Sequence, residues 1–397
     1  MKKLKVLALA VILGILSTPV FACTTAIISA EVSGTGRPLL WKQRDTKNNY
    51  NHIEHIQGEK YSFTALVGTR KSEVKSVWAG VNEKGFVIAN NVSYNINPKG
   101  EKAGRNGSLM MEVLGVCATV DDFERFLKKM PLPRMVASNY AVIDAVGGAA
   151  YFEVGNDTYT RFDVKDSPTG YLYRTNFSFE GREDAGKGYI RYDAARKLLG
   201  DKGSEFTSGW VLDNVARSFY HGLMKTDLKD KTDQELGTGF VISKDYIPRF
   251  TTTSSIVFEG VNPGESPKNV VMWNVLGYPP CSYAIPVWVG AGDEIPESLS
   301  SDFGIHAPAN ELAVRLKGVV FPIERGSGND YLDYLTLRTK ILPEVLAAED
   351  KEIEEAEKLK EQFAAKGFNI KAVRKYNVEA DRRFEEFKMK MESIIKK

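Results

Sequence analysis

The junction Val20-Phe21-Ala22-Cys23-Thr24-Thr25 constrains the rest of the chain more than any other stretch. Upstream of it, Lys2, Lys3 and Lys5 precede an apolar run from Val6 to Leu16, followed by Ser17-Thr18-Pro19. Charged, then apolar, then small and polar is the order of a secretory signal, and Val20 and Ala22 suit the cleavage pocket of signal peptidase. Cleavage after Ala22 would leave 375 of the 397 residues and make Cys23 the first of them. A cysteine in that position has a free α-amine on the carbon next to its thiol-bearing Cβ.

The totals exclude several classes of protein. With 53 basic and 51 acidic residues the net charge is +2, so no global field favours nucleic acid or an anionic membrane. Beyond the signal, no apolar run reaches the length of a transmembrane helix. The expected location is therefore exported, periplasmic or extracellular, and the length suits one large domain or two ordinary ones. Cys23, Cys117 and Cys281 are too few for a disulfide scaffold, and whether Cys117 and Cys281 pair is left open by their spacing.

Strand patterns dominate the first part. Cys23–Val32 is rich in β-branched residues and is separated by Ser33-Gly34-Thr35-Gly36 from Pro38–Asp45, which predicts a hairpin bringing Lys42, Arg44 and Asp45 beside Cys23. Further strands are expected over Tyr61–Gly68, Ser76–Val81 and Phe86–Ala89, the last two joined by the turn Asn82-Glu83-Lys84-Gly85 and the last running to Asn90-Asn91. Helices are expected over Leu109–Cys117 and Asp121–Met130, capped by Thr119 or Asp121, and over Tyr189–Leu199 and Val211–Leu223, the latter capped by Ser208. Strands return at Tyr140–Asp144, Ala149–Val154, Tyr159–Val164, Thr251–Phe258, Val270–Val275 and Tyr283–Val289. Hairpins interrupted by pairs of helices indicate an α+β fold of sheets covered by helices, and no glycine-rich phosphate loop is present. After Leu342-Pro343, two apolar stripes at helical spacing flank Gly367, which predicts a C-terminal helical hairpin, with a coiled-coil or homo-oligomer contact as its alternative role. The expected division is a signal over 1–22, a catalytic domain over 23–342 and a helical extension over 343–397.

An N-terminal cysteine can supply its own base, because an α-amine with a pKa of about 8 can take the proton of a thiol near 8.5. No histidine is then required, and His52, His55, His221 and His306 have neither a partner motif nor metal-ligand spacing. No cofactor and no metal are expected. The competing roles for Cys23 are a small buried strand residue and a lipid anchor, but Val20 and Phe21 depart from the lipid-attachment pattern, which prefers leucine and a small residue there.

Taken in order, Cys23-Thr24-Thr25, Trp41-Lys42-Gln43-Arg44-Asp45, Asn82-Glu83-Lys84-Gly85 and Thr175-Asn176 resemble the motifs of the N-terminal nucleophile hydrolases that cut linear amides. That group includes penicillin V acylases, choloylglycine hydrolases and penicillin-precursor acyltransferases, with a related dipeptidase branch. The resemblance implies a four-layer αββα sandwich, Cys23 as nucleophile and Asp45 as the carboxylate holding its amine. It also implies Asn176 and Asn91, with Asn90 as the neighbouring choice, as amide donors to the oxyanion. The family places an arginine three residues before the aspartate; here Lys42 stands there, and Arg44 adjoins Asp45. Thr252–Ser255 are expected to line the pocket, whose acyl portion should be mostly apolar. The expected partner is a small-molecule N-acyl amide, hydrolysed through a thioester with acyl transfer as a variant. A dipeptidase of the same superfamily and a lipid-anchored binding protein are the alternatives.

Overall fold

The computed structural model describes residues 22–68, 76–200, 206–301 and 306–396, so the expected signal, apart from Ala22, lies outside the described residues. The chain opens with β1 (Ala22–Ile28) and β2 (Leu39–Asp45), the predicted hairpin, followed by β3 (Asn51–Gln57), β4 (Ser62–Gly68), β5 (Ala79–Asn82) and β6 (Val87–Val92). Two helices, α1 (Asn106–Leu114) and α2 (Val120–Lys129), precede β7 (Ser138–Ile143), β8 (Ala149–Val154), β9 (Tyr159–Asp163) and β10 (Tyr171–Arg174). Next come α3 (Tyr189–Leu199), α4 (Ser208–Val211), the short strands β11 (Tyr220–His221) and β12 (Thr226–Asp227), α5 (Asp233–Leu236) and β13 (Phe240–Ile242). The last third holds β14 (Thr252–Glu259), β15 (Val271–Leu276), β16 (Ile285–Trp288), α6 (Pro308–Val320), β17 (Tyr331–Asp333) and α7 (Tyr334–Thr336). It ends in α8 (Leu342–Lys366) and α9 (Ile370–Ile395).

Two antiparallel sheets carry the fold. One runs β10-β1-β2-β14-β15-β16 and the other β3-β4-β5-β6-β7-β8-β9. They stack with β1 and β2 against β6 and β7. The outer face of the seven-stranded sheet is covered by α1 and α2, whose Leu109, Met110, Val113, Phe123 and Leu127 join Phe63, Ile88, Tyr140 and Phe152 in one buried cluster. Against the six-stranded sheet lie α3 on β10, α4 on β14, α6 on β15 and α8 on β16. Helix, sheet, sheet, helix is the expected αββα order, with the C-terminal helical hairpin added to the outer layer. Both faces of β1 and β2 are therefore covered, which explains why all seven residues of each are buried, charged ones included.

Local chemistry accounts for the element ends. Thr119 caps α2 through a reciprocal capping box with Asp122. The turn Asn82–Gly85 is held by Asn82, whose Oδ1 accepts from the backbone N–H of Lys84 and Phe86, while Gly85 takes the left-handed φ of +77° the turn demands. The same Asn82 donates through Nδ2 to the carbonyls of Leu114 and Cys117 at 2.8 and 2.7 Å, tying the end of α1 to the sheet. This motif is thus structural in its immediate contacts.

Several boundaries differ from the sequence reading. The first helix starts at Asn106 and ends at Leu114 instead of spanning Leu109–Cys117. The helix expected over Val211–Leu223 is capped by Thr207, whose side chain accepts from Trp210 N–H; it widens to a π-helical turn over Leu212–Ala216 and then gives way to β11. Ser208 instead donates to buried Glu259. All three cysteines are free: Cys117 packs under α1 and α2, whereas Cys281 lies in the larger core.

Candidate active site

Register places the site at one end of the inter-sheet gap. On β1 and β2, Ala22 pairs with Asp45, Cys23 with Arg44 and Thr25 with Lys42; on the next strand Thr252 pairs with Asp45 and Ser254 with Arg44. Paired residues share a face and neighbours alternate. Thr25 donates to Asn91 Oδ1 across the gap at 3.3 Å and accepts from Tyr151 Oη at 2.9 Å, so Cys23, Thr25, Lys42 and Arg44 face the other sheet. Asp45 faces the helical layer. The bulge between Thr252 and Ser254 inserts Thr253, which accepts from Arg44 at 3.0 Å.

The backbone nitrogen of Cys23 donates to Asn176 Oδ1 at 2.9 Å. Asn176 is fixed in turn: its Nδ2 donates to Val92 O at 2.8 Å, and Arg191 donates to its Oδ1 at 2.7 Å. Arg191 also donates to Cys23 O and Thr24 Oγ1, both at 2.8 Å, so one guanidinium clamps the first two residues of the expected mature chain. Burial, then the proximity of Arg249, lowers the Arg191 pKa to about 10. In this arrangement Asn176 accepts from the Cys23 nitrogen through Oδ1 while its Nδ2 is a donor.

Asp45 does not bond Cys23 here. Its Oδ1 accepts from Thr252 Oγ1 at 2.7 Å, and its Oδ2 takes Arg249 Nε at 2.9 Å and a terminal nitrogen of the same guanidinium at 2.7 Å. Asn91 donates through Nδ2 to Thr175 O, and the amide retains a second N–H directed by the same planar group. Lys42 is fully buried and donates to Trp78 O at 2.5 Å and Asn90 Oδ1 at 2.9 Å. Burial lowers its pKa to about 8, with Cys23 opposing and Arg44 reinforcing the shift. The Arg44 guanidinium lies over the Trp78 ring at 4.2 Å.

Hence Cys23, Lys42, Arg44, Asn91 and Asn176 converge on the gap, and Asp45 approaches from the other side of the same strand pair. Of the stretch Thr252–Ser255, Thr252 donates to Asp45 and Thr253 accepts from Arg44. In register around Cys23 stand Thr25, Lys42, Arg44 and Ser254, with Asn91 across the gap, and apolar side chains begin at Ile27, Leu40, Ile256 and Leu276. Arg191, Arg249 and Trp78 escaped the sequence reading. Arg191 carried a legible signal, since it occupies the buried stripe of α3 with Ala194, Ala195 and Leu199, where an arginine is out of place unless it has a task. Arg249 precedes a strand in a turn closed by Thr252, and nothing local marks it.

Residues 45–199 match the family model for acyl-coenzyme A:6-aminopenicillanic acid acyl-transferase. Comparison with curated proteins gives no match. Among solved structures, a mutant conjugated bile acid hydrolase of Clostridium perfringens is 14% identical, with 68% of this chain and 92% of that one covered at a TM-score of 0.38. The Caenorhabditis elegans ortholog of N-acylethanolamine-hydrolyzing acid amidase gives 14%, 60%, 92% and 0.39, and penicillin V acylase of Agrobacterium tumefaciens 14%, 68%, 86% and 0.37. The family match and the αββα architecture support the class read from the motifs, an N-terminal nucleophile hydrolase of the linear amide group. Within that class they support an amidase or acyltransferase of N-acyl amides.

Proposed function

We propose that this chain is an exported cysteine amidase that becomes active when the Ala22–Cys23 bond is cut. The observation that carries the reading is the Asn176–Cys23–Arg191 constellation, which holds the nitrogen and carbonyl of a single cysteine at the first buried residues of a central strand. Once Ala22 is gone, that nitrogen is an amine. It takes the thiol proton, and the thiolate attacks the substrate carbonyl. The oxyanion draws on the second N–H of Asn91 and on the positive potential of Lys42 and Arg44. Collapse expels the amine, which leaves with the proton held by the Cys23 ammonium, and a thioester remains. Water, deprotonated by the same α-amine, releases the acid; a second amine in its place gives acyl transfer. Asp45, opposite the vacated position of Ala22 and steadied by Arg249 and Thr252, orients the ammonium. A lipid anchor is disfavoured, because the Cys23 side chain faces a packed inter-sheet gap and the residue is only 6% exposed.

Protein starting at Cys23 should hydrolyse a responsive N-acyl amide, and Cys23→Ala should lower turnover by about a thousandfold or more without loss of the folded state by circular dichroism. Prepending one residue to Cys23 should cost nearly as much. Full activity in the extended protein would exclude the α-amine as base.

A further inference from the structure

Resting on that reading, we propose that Thr25 and Tyr151 are positioning residues, two hydroxyls in series that hold the Asn91 amide in the one orientation that offers an N–H to the oxyanion. Thr25 follows Cys23 by two residues on β1, so both side chains face the same gap, and Tyr151 reaches that gap from β8 in the opposite sheet. Thr25, Tyr151 and Asn91 are all completely buried. The Tyr151 hydroxyl donates to Thr25 Oγ1 at 2.9 Å, Thr25 donates to Asn91 Oδ1 at 3.3 Å, and Asn91 Nδ2 donates to Thr175 O.

The direction of this relay is fixed from its far end. A backbone carbonyl can only accept, so Thr175 O requires Nδ2 to face it, and Oδ1 is thereby turned to Thr25. Thr25 must then give its single hydrogen to Asn91, which leaves only lone pairs for Tyr151, and Tyr151 must donate. Burial raises the pKa of the Tyr151 hydroxyl above its ordinary value, so that proton stays in place. The ring beneath it is steadied by the Arg174 guanidinium, 5.1 Å from the ring centroid and itself paired with Glu153 at 2.7 Å. Without the relay, a half-turn of the amide would put Oδ1 where negative charge develops, an acceptor facing an anion. Packing alone does not call for these hydroxyls. The next gap-facing residue of β1 is the apolar Ile27, and valine with phenylalanine would fill the same space without burying polar atoms. Among the described residues, neither hydroxyl bonds anything outside the relay.

A double-mutant cycle on protein beginning at Cys23 tests this, with p-nitrophenyl acetate as acyl donor and the burst of p-nitrophenol as the readout of Cys23 acylation. Asn91→Ala should slow the burst by about a hundredfold, and Thr25→Val, which keeps the shape, by about tenfold or more. Thr25→Ser, which keeps the hydroxyl and loses the methyl, should restore most of the rate. Tyr151→Phe acts one bond further back and should slow the burst by a smaller factor. In the Asn91→Ala background, neither Thr25→Val nor Tyr151→Phe should have a further effect. Undiminished acylation in Thr25→Val, a loss that persists when residue 91 is alanine, or Thr25→Ser as slow as Thr25→Val overturns the relay and leaves the amidase reading standing. Undiminished acylation in Asn91→Ala removes that amide from the oxyanion and overturns the relay with it. A burst no larger than that of Cys23→Ala overturns the relay and the reading together.

Discussion

A lysine where related motifs carry arginine changes the physics of one residue, because lysine can lose its proton when buried and arginine does not. Below about pH 8 the Lys42 ammonium is charged in the folded and the unfolded chain alike, and the full cost of burying it opposes folding. Between about 8 and the ordinary 10.5, the folded chain sheds that proton while the unfolded chain keeps it. The unfolded state then binds more protons, and stability rises with pH. The displacement corresponds to about 3 kcal/mol. Urea denaturation of wild type and Lys42→Met should therefore show the difference moving in the wild type's favour by up to about 3 kcal/mol from pH 7 to pH 10.5. A pH-independent difference would mean that the ammonium is solvated. Lys317, also lowered to about 8 by burial, is present in both proteins and cancels.

At the level of elements, the C-terminal hairpin is bound to the sandwich by buried charge as well as by its apolar stripes. Glu349 on α8 accepts from both terminal nitrogens of Arg217 at 2.7 and 2.6 Å and from Ala284 N–H at 2.6 Å, with both side chains at most 2% exposed. Glu349→Ala leaves the buried Arg217 to the partly exposed Asp213 at 2.9 Å and removes its bidentate partner, a loss towards the lower end of about 3–5 kcal/mol. Glu354→Ala removes an exposed helix pair with Lys358 and should cost at most about 1 kcal/mol. Equal effects in chemical denaturation would show that the Arg217 anchor is solvated. The hairpin was legible because its stripes recur at helical spacing, and β1–β2 was legible because β-branched residues flank a Ser-Gly-Thr-Gly turn. The shortened helix after Thr207 was not: the polar residues Asp213, Arg217 and Ser218 fit an amphipathic helix, but Arg217 is drawn inward to Glu349, 132 residues away. Cys23, Asp45 and Asn176 could be read from motif order. Arg249 could not, because its role exists only through the register of β14 on β2.

For the molecule as a whole, topology dictates when the chain can be cut. β1 is an interior strand between β10 and β2, and Ala22 is 2% exposed beneath the outer helices, in register with Asp45. A protease needs several residues in an extended, accessible form, so cutting Ala22–Cys23 in the folded chain requires β1 to leave the centre of its sheet. Such an opening costs close to the global unfolding free energy, in contrast to the fraying of an edge strand. On the proposed reading, cleavage would therefore precede closure of the sandwich, while the leader and β1 are still extended. This can be checked with protein that carries a leader ending in a specific protease site directly before Cys23. The folded protein should be cut at least a hundredfold more slowly than the same protein held in urea below the protease's own denaturation midpoint, and amidase activity should follow only the fraction whose new N-terminus is Cys23 by sequencing. Rapid cutting of the native protein would place Cys23 on a strand that opens readily and would remove the requirement that cleavage come before folding.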